Sequence, residues 1–187
     1  YSVINESGSF VTDPLVNKGK GRNMGAEITF EQSLYRNLYY LLSASLYNAE
    51  YKALDGKWRN SRYNGNFVLT FTSGKEFKTG EKFKNRIVGL NVKVVYTGGF
   101  RSTPINVEAS KEKGETVYYE ERAFENKYPN YFRTDLRLSL KRNRAHSTHT
   151  MSLDLQNATN RKNIYGEFFD PQSARIKTYY QSPLIPI

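Results

Sequence analysis

Alternation of apolar and polar residues with a period of two dominates this chain, in segments of about ten residues, and it constrains the fold more than any other feature. Met24, Ala26, Ile28 and Phe30 interleave with Gly25, Glu27, Thr29 and Glu31. Leu38, Tyr40, Leu42, Ala44 and Leu46 interleave with Tyr39, Leu41, Ser43, Ser45 and Tyr47. Phe67, Leu69 and Phe71 repeat the pattern, as do Val88, Leu90, Val92, Val94 and Tyr96. So do Phe132, Leu136, Leu138 and Leu140, and finally Met151, Leu153 and Leu155. Successive side chains of a strand point to opposite faces, so each segment reads as a β-strand with one apolar and one polar face. A last candidate strand runs from about Lys177 to the end, weakened by Pro183 and Pro186. Helical periodicity is nowhere sustained, and no linker or domain boundary interrupts residues 1–187.

Alternation alone does not say what covers the apolar face, because a soluble sandwich also turns polar residues outward. The connections discriminate better. A short turn at Ser33 to Asn37 is followed by a longer stretch at Lys52 to Asn66. A middling turn at Lys75 to Arg86 precedes a long excursion from Gly98 to Tyr131. A short turn at Arg142 to Ser147 then precedes a longer loop at Asn160 to Lys177. Short turns at one end and long loops at the other are the pattern of a transmembrane barrel. Composition permits this reading. Mean hydropathy is -0.70, and no apolar run approaches the roughly 18 residues of a membrane helix. A barrel strand, however, shows lipid only every second side chain. The 15 tyrosines and 11 phenylalanines suit aromatic belts at two membrane interfaces. The expected fold is therefore all-β: about seven antiparallel strands of a larger up-and-down transmembrane barrel.

The stretch NKGKGRNMGAEITFE (17–31) resembles the motif in which a polar loop ends in Asn-x-Gly and enters a strand in TonB-dependent receptors. SLYNAEYKALDGKWRNSRYNGNFV (45–68) resembles the strand, aromatic-rich outer loop and Asn/Gly return that follow in the same family. YFRTDLRLSLK (131–141) with HTMSLDLQNATNRKN (149–163) is similar to the penultimate hairpin of these barrels. FDPQSARIKTYYQSPLIPI (169–187) resembles the final loop and the start of the closing strand. The combination is similar to receptors of the Bacteroidetes type. No segment resembles the plug, the TonB box or the carboxypeptidase-regulatory-like N-terminal domain of that family. With its start at Tyr1, the chain reads as the C-terminal part of such a barrel.

The resemblance implies the wall of a nutrient receptor in the outer membrane of a Gram-negative cell, with long loops extracellular and the C-terminus periplasmic. It implies as partners the rest of the barrel and its plug, the TonB complex through segments absent here, outer-membrane lipid and lipopolysaccharide, and a small nutrient or surface lipoprotein. Seven strands cannot close a lumen of roughly 22, so the chain is expected to depend on the remainder of its barrel. Aromatic and arginine side chains supply most of the energy at recognition surfaces. The ligand candidates are thus the long-loop residues Trp58, Arg59, Arg62, Arg101, Tyr118, Tyr119 and Phe124. The plainer alternative is that these side chains pack the loops against one another. Glu27, Glu31, Lys93, Arg133, Asp135, Arg137, Lys141 and Asp154 fall on the polar face, as a hydrated inner wall would require.

Other signals point away from chemistry. Cysteine is absent, which excludes thiolate metal sites. His146 and His149, the only histidines, stand three apart on a strand and so face opposite ways. Gly19, Gly21 and Gly25 precede a strand with the wrong spacing for a dinucleotide site. No enzyme activity, cofactor or metal is expected. The net charge of +10 suits lipopolysaccharide phosphates near Lys18, Lys20, Arg22, Lys52 and Lys57. Further cations, namely Lys75, Lys78, Lys82, Lys84, Arg142 and Arg144, belong to the opposite end. Two alternatives are a plug-less porin or assembly component, and a soluble basic β-protein that binds nucleic acid through Tyr, Phe and Lys/Arg.

Overall fold

A computed structural model describes residues 18–78 and 86–186. The connection holding Lys82 and Lys84 lies outside the described residues. The protein is all-β. Its main sheet is antiparallel and contains β1 (Lys20–Tyr35), β2 (Leu38–Lys52), β3 (Trp58–Asn60), β4 (Phe67–Lys78), β5 (Arg86–Thr97), β8 (Tyr131–Asn143), β9 (Thr148–Gln156) and β12 (Ile185–Pro186). Strand order follows the chain, β1-β2-β4-β5-β8-β9-β12, and β3 pairs with the upper end of β2. Two small pairs lie off the sheet: β6 (Arg101–Ser102) with β7 (Asn126–Lys127), and β10 (Ile164–Asp170) with β11 (Arg175–Tyr180).

All six alternating segments are strands, and most are longer than the periodicity suggests. β1 has 16 residues and β2 has 15, against the roughly 9–11 that cross a bilayer as a tilted strand. The surplus lies at the long-loop end, where Lys20–Asn23 pair with Ala49–Lys52 beyond Met24 and Leu46, the last residues of the exposed apolar band on these two strands. At the other end β1 and β2 join through Arg36 and Asn37, both at positive φ (49° and 65°), the mirror-image turn whose twist matches a hairpin. The expected final strand from Lys177 is divided. Its first part is β11, which pairs away from the sheet with β10, and the chain rejoins β9 only at Ile185. Pro183 has no N–H to give a ladder and lies between the two parts. The loop expected over Asn160 to Lys177 accordingly contains β10 and the turn of a hairpin.

The paired rows run straight across the sheet. Phe30, Leu42, Phe71 and Val94 form one row, and Leu38, Lys75, Leu90, Leu138 and Leu153 another. The apolar segments do not keep to one row. In β1 the apolar run is centred at Glu27, which pairs with Ser45; in β9 it is centred at Leu153, whose row passes through Leu138 and Leu90 to Leu38. The centre thus slides from Ser45 to Leu38, seven residues, in the five steps from β1 to β9. At about 3.4 Å per residue and about 4.8 Å per strand, the apolar band crosses the strands at roughly 45°.

No second layer covers this band among the described residues. Met24 is 66% exposed, Leu46 68%, Leu90 50%, Leu138 49% and Met151 74%. The buried apolar residues lie elsewhere: Tyr51, Ala123 and Phe124 pack together at the long-loop end, and Phe169 is in β10. On the opposite face Glu27, Lys93, Arg133, Asp135, Arg137 and Asp154 share rows with serine, threonine and asparagine. Glu27 accepts from Ser43 and Ser45, each at 3.1 Å. Arg137 forks onto both carboxylate oxygens of Asp154, and Arg133 holds Asp135 at 2.6 Å. Tyr39 lies across Gly74 and donates its hydroxyl to Asn91 Oδ1 at 2.8 Å, spanning three strands.

Candidate functional site

The three long connections converge at one end of the sheet. The first, between β2 and β4, is fixed by Asn64, whose side chain is fully buried. Its Oδ1 accepts from the Ala49 backbone at 3.0 Å, and its Nδ2 donates to Asn48 and Asn60 at 2.7 Å each. The second connection clamps the first. Arg101 Nε donates to the Asn64 carbonyl at 3.1 Å, and Lys127 Nζ donates to the Gly65 carbonyl at 3.0 Å. Contact is too close for side chains: a Cβ on Gly98 would sit 1.7 Å from the Gly65 oxygen. A seven-residue helix, α1 (Val107–Lys113), stands in this connection. Asn106 caps its N-terminus by accepting from Ala109 N at 3.1 Å, and Gly114 ends it in the left-handed conformation. At seven residues the helix makes only about two turns, too few to leave a periodicity in the sequence.

Between the second and third connections lies a cavity of about 140 Å³. Arg62, Arg101, Tyr118 and Phe124 line it, so the fold brings together four of the seven ligand candidates. Trp58 and Arg59 stand apart, in β3. Trp58 stacks under the Arg22 guanidinium at 4.3 Å, and Arg59 pairs with Asp55 at 2.6 Å and reaches the Glu121 carbonyl. Tyr119 lies under Arg122 at the start of a single 3-10 turn. Of the four cavity residues, two also serve packing. Arg101 is engaged by Asn64 and Asn66, and Phe124 is 6% exposed with its ring edge-on to Tyr51 at 6.2 Å. Phe124 adopts φ 57°, a left-handed conformation that costs an ordinary residue about 1–2 kcal/mol, offset here by burial of its ring.

The rest of the cavity comes from residues that strand periodicity does not single out. Phe100, Ser102, Thr103, Glu120 and Tyr128 belong to the second connection, and Tyr165, Gly166, Glu167 and Tyr179 to the β10–β11 hairpin. Tyr165 and Tyr179 stack at 5.5 Å, and the Tyr179 ring covers Gly166. The signal for these residues was the aromatic density of Tyr165 to Tyr180, read as a loop and a wall strand rather than as a hairpin folded over the site.

Burial pushes the Tyr118 phenol above its ordinary pKa, and neighbouring Tyr179, Glu120 and Glu167 act the same way against the pull of Arg62. Burial also raises Tyr128, opposed by a hydrogen bond with Ser102. Both hydroxyls therefore stay protonated at neutral pH and can donate or accept. The site offers aromatic faces, neutral hydroxyls, the guanidinium of Arg62 and the carboxylates of Glu120 and Glu167. That combination suits a small polar solute with an apolar face. Among the described residues no group of three His, Cys, Asp or Glu could hold a metal ion. No family model matches the chain, and neither a curated protein nor a solved structure matches it.

Proposed function

We propose that this chain forms part of the wall of a TonB-dependent receptor of the outer membrane, with its long loops extracellular and its short turns periplasmic, and that it takes part in uptake of a scarce nutrient. The observation that carries this reading is the uncovered, slanted apolar band. Twelve or so half-exposed large side chains present on the order of 1,000 Å² of apolar surface, against a few hundred on a soluble monomer. At about 25 cal/mol per Å² the transfer of that surface from water is worth on the order of 25 kcal/mol. Closed barrels tilt their strands by about 35–45° to the axis, so a horizontal slab of lipid would cross the strands along the slope seen here. Along β5 the apolar run from Val88 to Tyr96 spans about 27 Å at 3.4 Å per residue. Tilted, that becomes about 20 Å, close to the height of the lipid-facing band of such barrels.

Sheet edges add to the case. The outer edge of β1 has no strand partner among the described residues, and β9 is paired on its outer side only at Leu155 and Gln156. Long open edges are aggregation templates in water and are intolerable in lipid, so further strands of a closed barrel are their natural partners. The plug and the coupling to TonB would come from other parts of the receptor. In this reading the tyrosine-lined cavity among the long loops meets the nutrient from outside, and the protein performs no catalysis.

Two measurements test the proposal. The full-length protein should partition into a detergent phase and migrate faster on a gel unheated than boiled. Recovery as a soluble monomer with one gel mobility would refute it. Arg62→Ala with Tyr118→Phe should weaken nutrient binding to cells about tenfold without changing the gel behaviour, as two lost polar contacts of roughly 0.5–1.5 kcal/mol predict.

A further inference from the structure

A second cavity, of about 600 Å³, lies between the β10–β11 hairpin and the polar face of the main sheet. Its floor is Tyr131, Arg133 and Gln156. Tyr131 and Arg133 fall on the side of β8 that carries Asp135 and Arg137, and Gln156 on the side of β9 that carries Asp154. Its roof is Tyr165, Tyr179, Tyr180 and Gln181, from the hairpin and the residue just after it. Two buried asparagines fix roof to floor. Asn163 Oδ1 accepts from the Phe132 N–H at 3.0 Å, and its Nδ2 donates to the Phe132 carbonyl at 2.8 Å. Asn157 Nδ2 donates to the carbonyls of Arg161 and Ser182, at 3.1 and 3.5 Å. Tyr165 and Tyr179 also line the cavity among the long loops, so this stacked pair is a wall that the two cavities share.

The two cavities differ in charge. Arg62, Arg101, Glu120 and Glu167 line the outer one. In the inner one Arg133 is the single charged side chain among the described residues, and Asp135 neutralises it at 2.6 Å. What remains is phenol rings and the carboxamides of Gln156 and Gln181, which make no side-chain hydrogen bond among the described residues. Each carboxamide offers a carbonyl acceptor and two N–H donors, the set that pairs with another amide. From this arrangement we infer that the inner cavity is a second binding site, taking an uncharged, amide-bearing solute with an aromatic ring. The inference rests on the membrane reading given above, in which the solute arrives from the long-loop end and reaches this site past Tyr165 and Tyr179. A charged solute would leave water for a lining with no unpaired counter-charge, which is costly. A neutral amide exchanges its water for Gln156 and Gln181, and its ring packs against the tyrosine pair.

Thiol protection in the full-length protein tests the inference. The chain has no cysteine, so Ser182→Cys places a reporter at the rim of the inner cavity, and the parent protein gives the background. Iodoacetamide should alkylate this thiol, and N-acetyl-L-tyrosinamide, which is neutral, should slow the reaction. N-acetyl-L-tyrosine, an anion, and L-tyrosinamide, a cation, should need at least about tenfold higher concentrations for the same protection. Gln156→Leu and Gln181→Leu should each raise the protecting concentration about two- to tenfold, as one lost hydrogen bond predicts. Lys141→Gln, on the same face at the far end of β8, should leave it unchanged. Equal protection by the three solutes, protection that both leucine variants keep in full, or a thiol that iodoacetamide does not reach would overturn the inner site alone. A full-length protein that stays out of detergent and shows one gel mobility would overturn the membrane reading beneath it.

Discussion

Leu136 sits at the centre of the apolar run of β8, with Phe132 and Leu140 four residues away on either side, and it is 44% exposed. Replacing it with arginine separates the two environments this face could meet. In water the new side chain would extend into solvent, and a surface substitution of that kind changes stability by no more than about 0.5 kcal/mol. In a bilayer, four residues along a tilted strand place the site about 10 Å inside either boundary of the band, near the midplane. There an arginine on the lipid face costs about 2–4 kcal/mol, which lowers the folding equilibrium about thirty- to several-hundredfold. Leu140→Arg, in the last apolar row, should cost only about 0–1 kcal/mol, because the cost falls steeply toward the interface. The assay is urea titration of the full-length protein folded into phospholipid vesicles, followed by loss of heat-resistant gel mobility. Equal midpoints for Leu136→Arg, Leu140→Arg and the parent protein would refute the lipid-facing assignment.

Two further outcomes follow from the loop scaffold. Asp170 lies at the β10–β11 turn, where Lys177, the Ser173 hydroxyl and the Gln172 N–H hold its carboxyl down to about 2. A depressed carboxylate stabilises the fold above its ordinary value of 3.8 and loses that contribution as pH falls toward 2. Amides of Ile164–Asp170 should therefore keep their exchange protection at pH 4 and lose it between about 3.8 and 2, and Asp170→Asn should abolish that window. Gly98→Ala forces a methyl group against the Gly65 carbonyl. It should cost about 1–3 kcal/mol by overpacking, seen as faster exchange at Tyr47 and Gly98 with strand protection in β8 unchanged.

What could be read from the residues depended on whether the signal was local. A strand's two faces are written at spacing two, so Met24 to Phe30, Val88 to Tyr96 and Phe132 to Leu140 announced themselves. The rule also sorted Glu27, Lys93, Asp135, Arg137 and Asp154 onto the other face. Connection lengths likewise showed which ends are crowded. The double turn at Arg36 and Asn37 was less visible, because arginine in a left-handed conformation has no sequence signature. The hairpin of β10 and β11 was missed for a related reason: alternation marks a strand but does not name its partner.

Sequence by itself thus determined that the chain makes two-faced antiparallel strands, with long connections gathered at one end, because side-chain direction in a strand is a property of neighbouring residues. Tertiary structure alone decided the slant of the apolar band, since that depends on which residue of one strand pairs with which of the next. It also decided the cavity, where Arg62, Tyr118, Tyr128 and Tyr179 come from three connections separated by up to a hundred residues or more. Trp58, Arg59 and Phe124 were drawn into packing by contacts with Arg22, Glu121 and Tyr51, which lie 36, 62 and 73 residues away in the chain. Hydrogen bonding across strands sets register, and register is a relation between segments that no single segment contains.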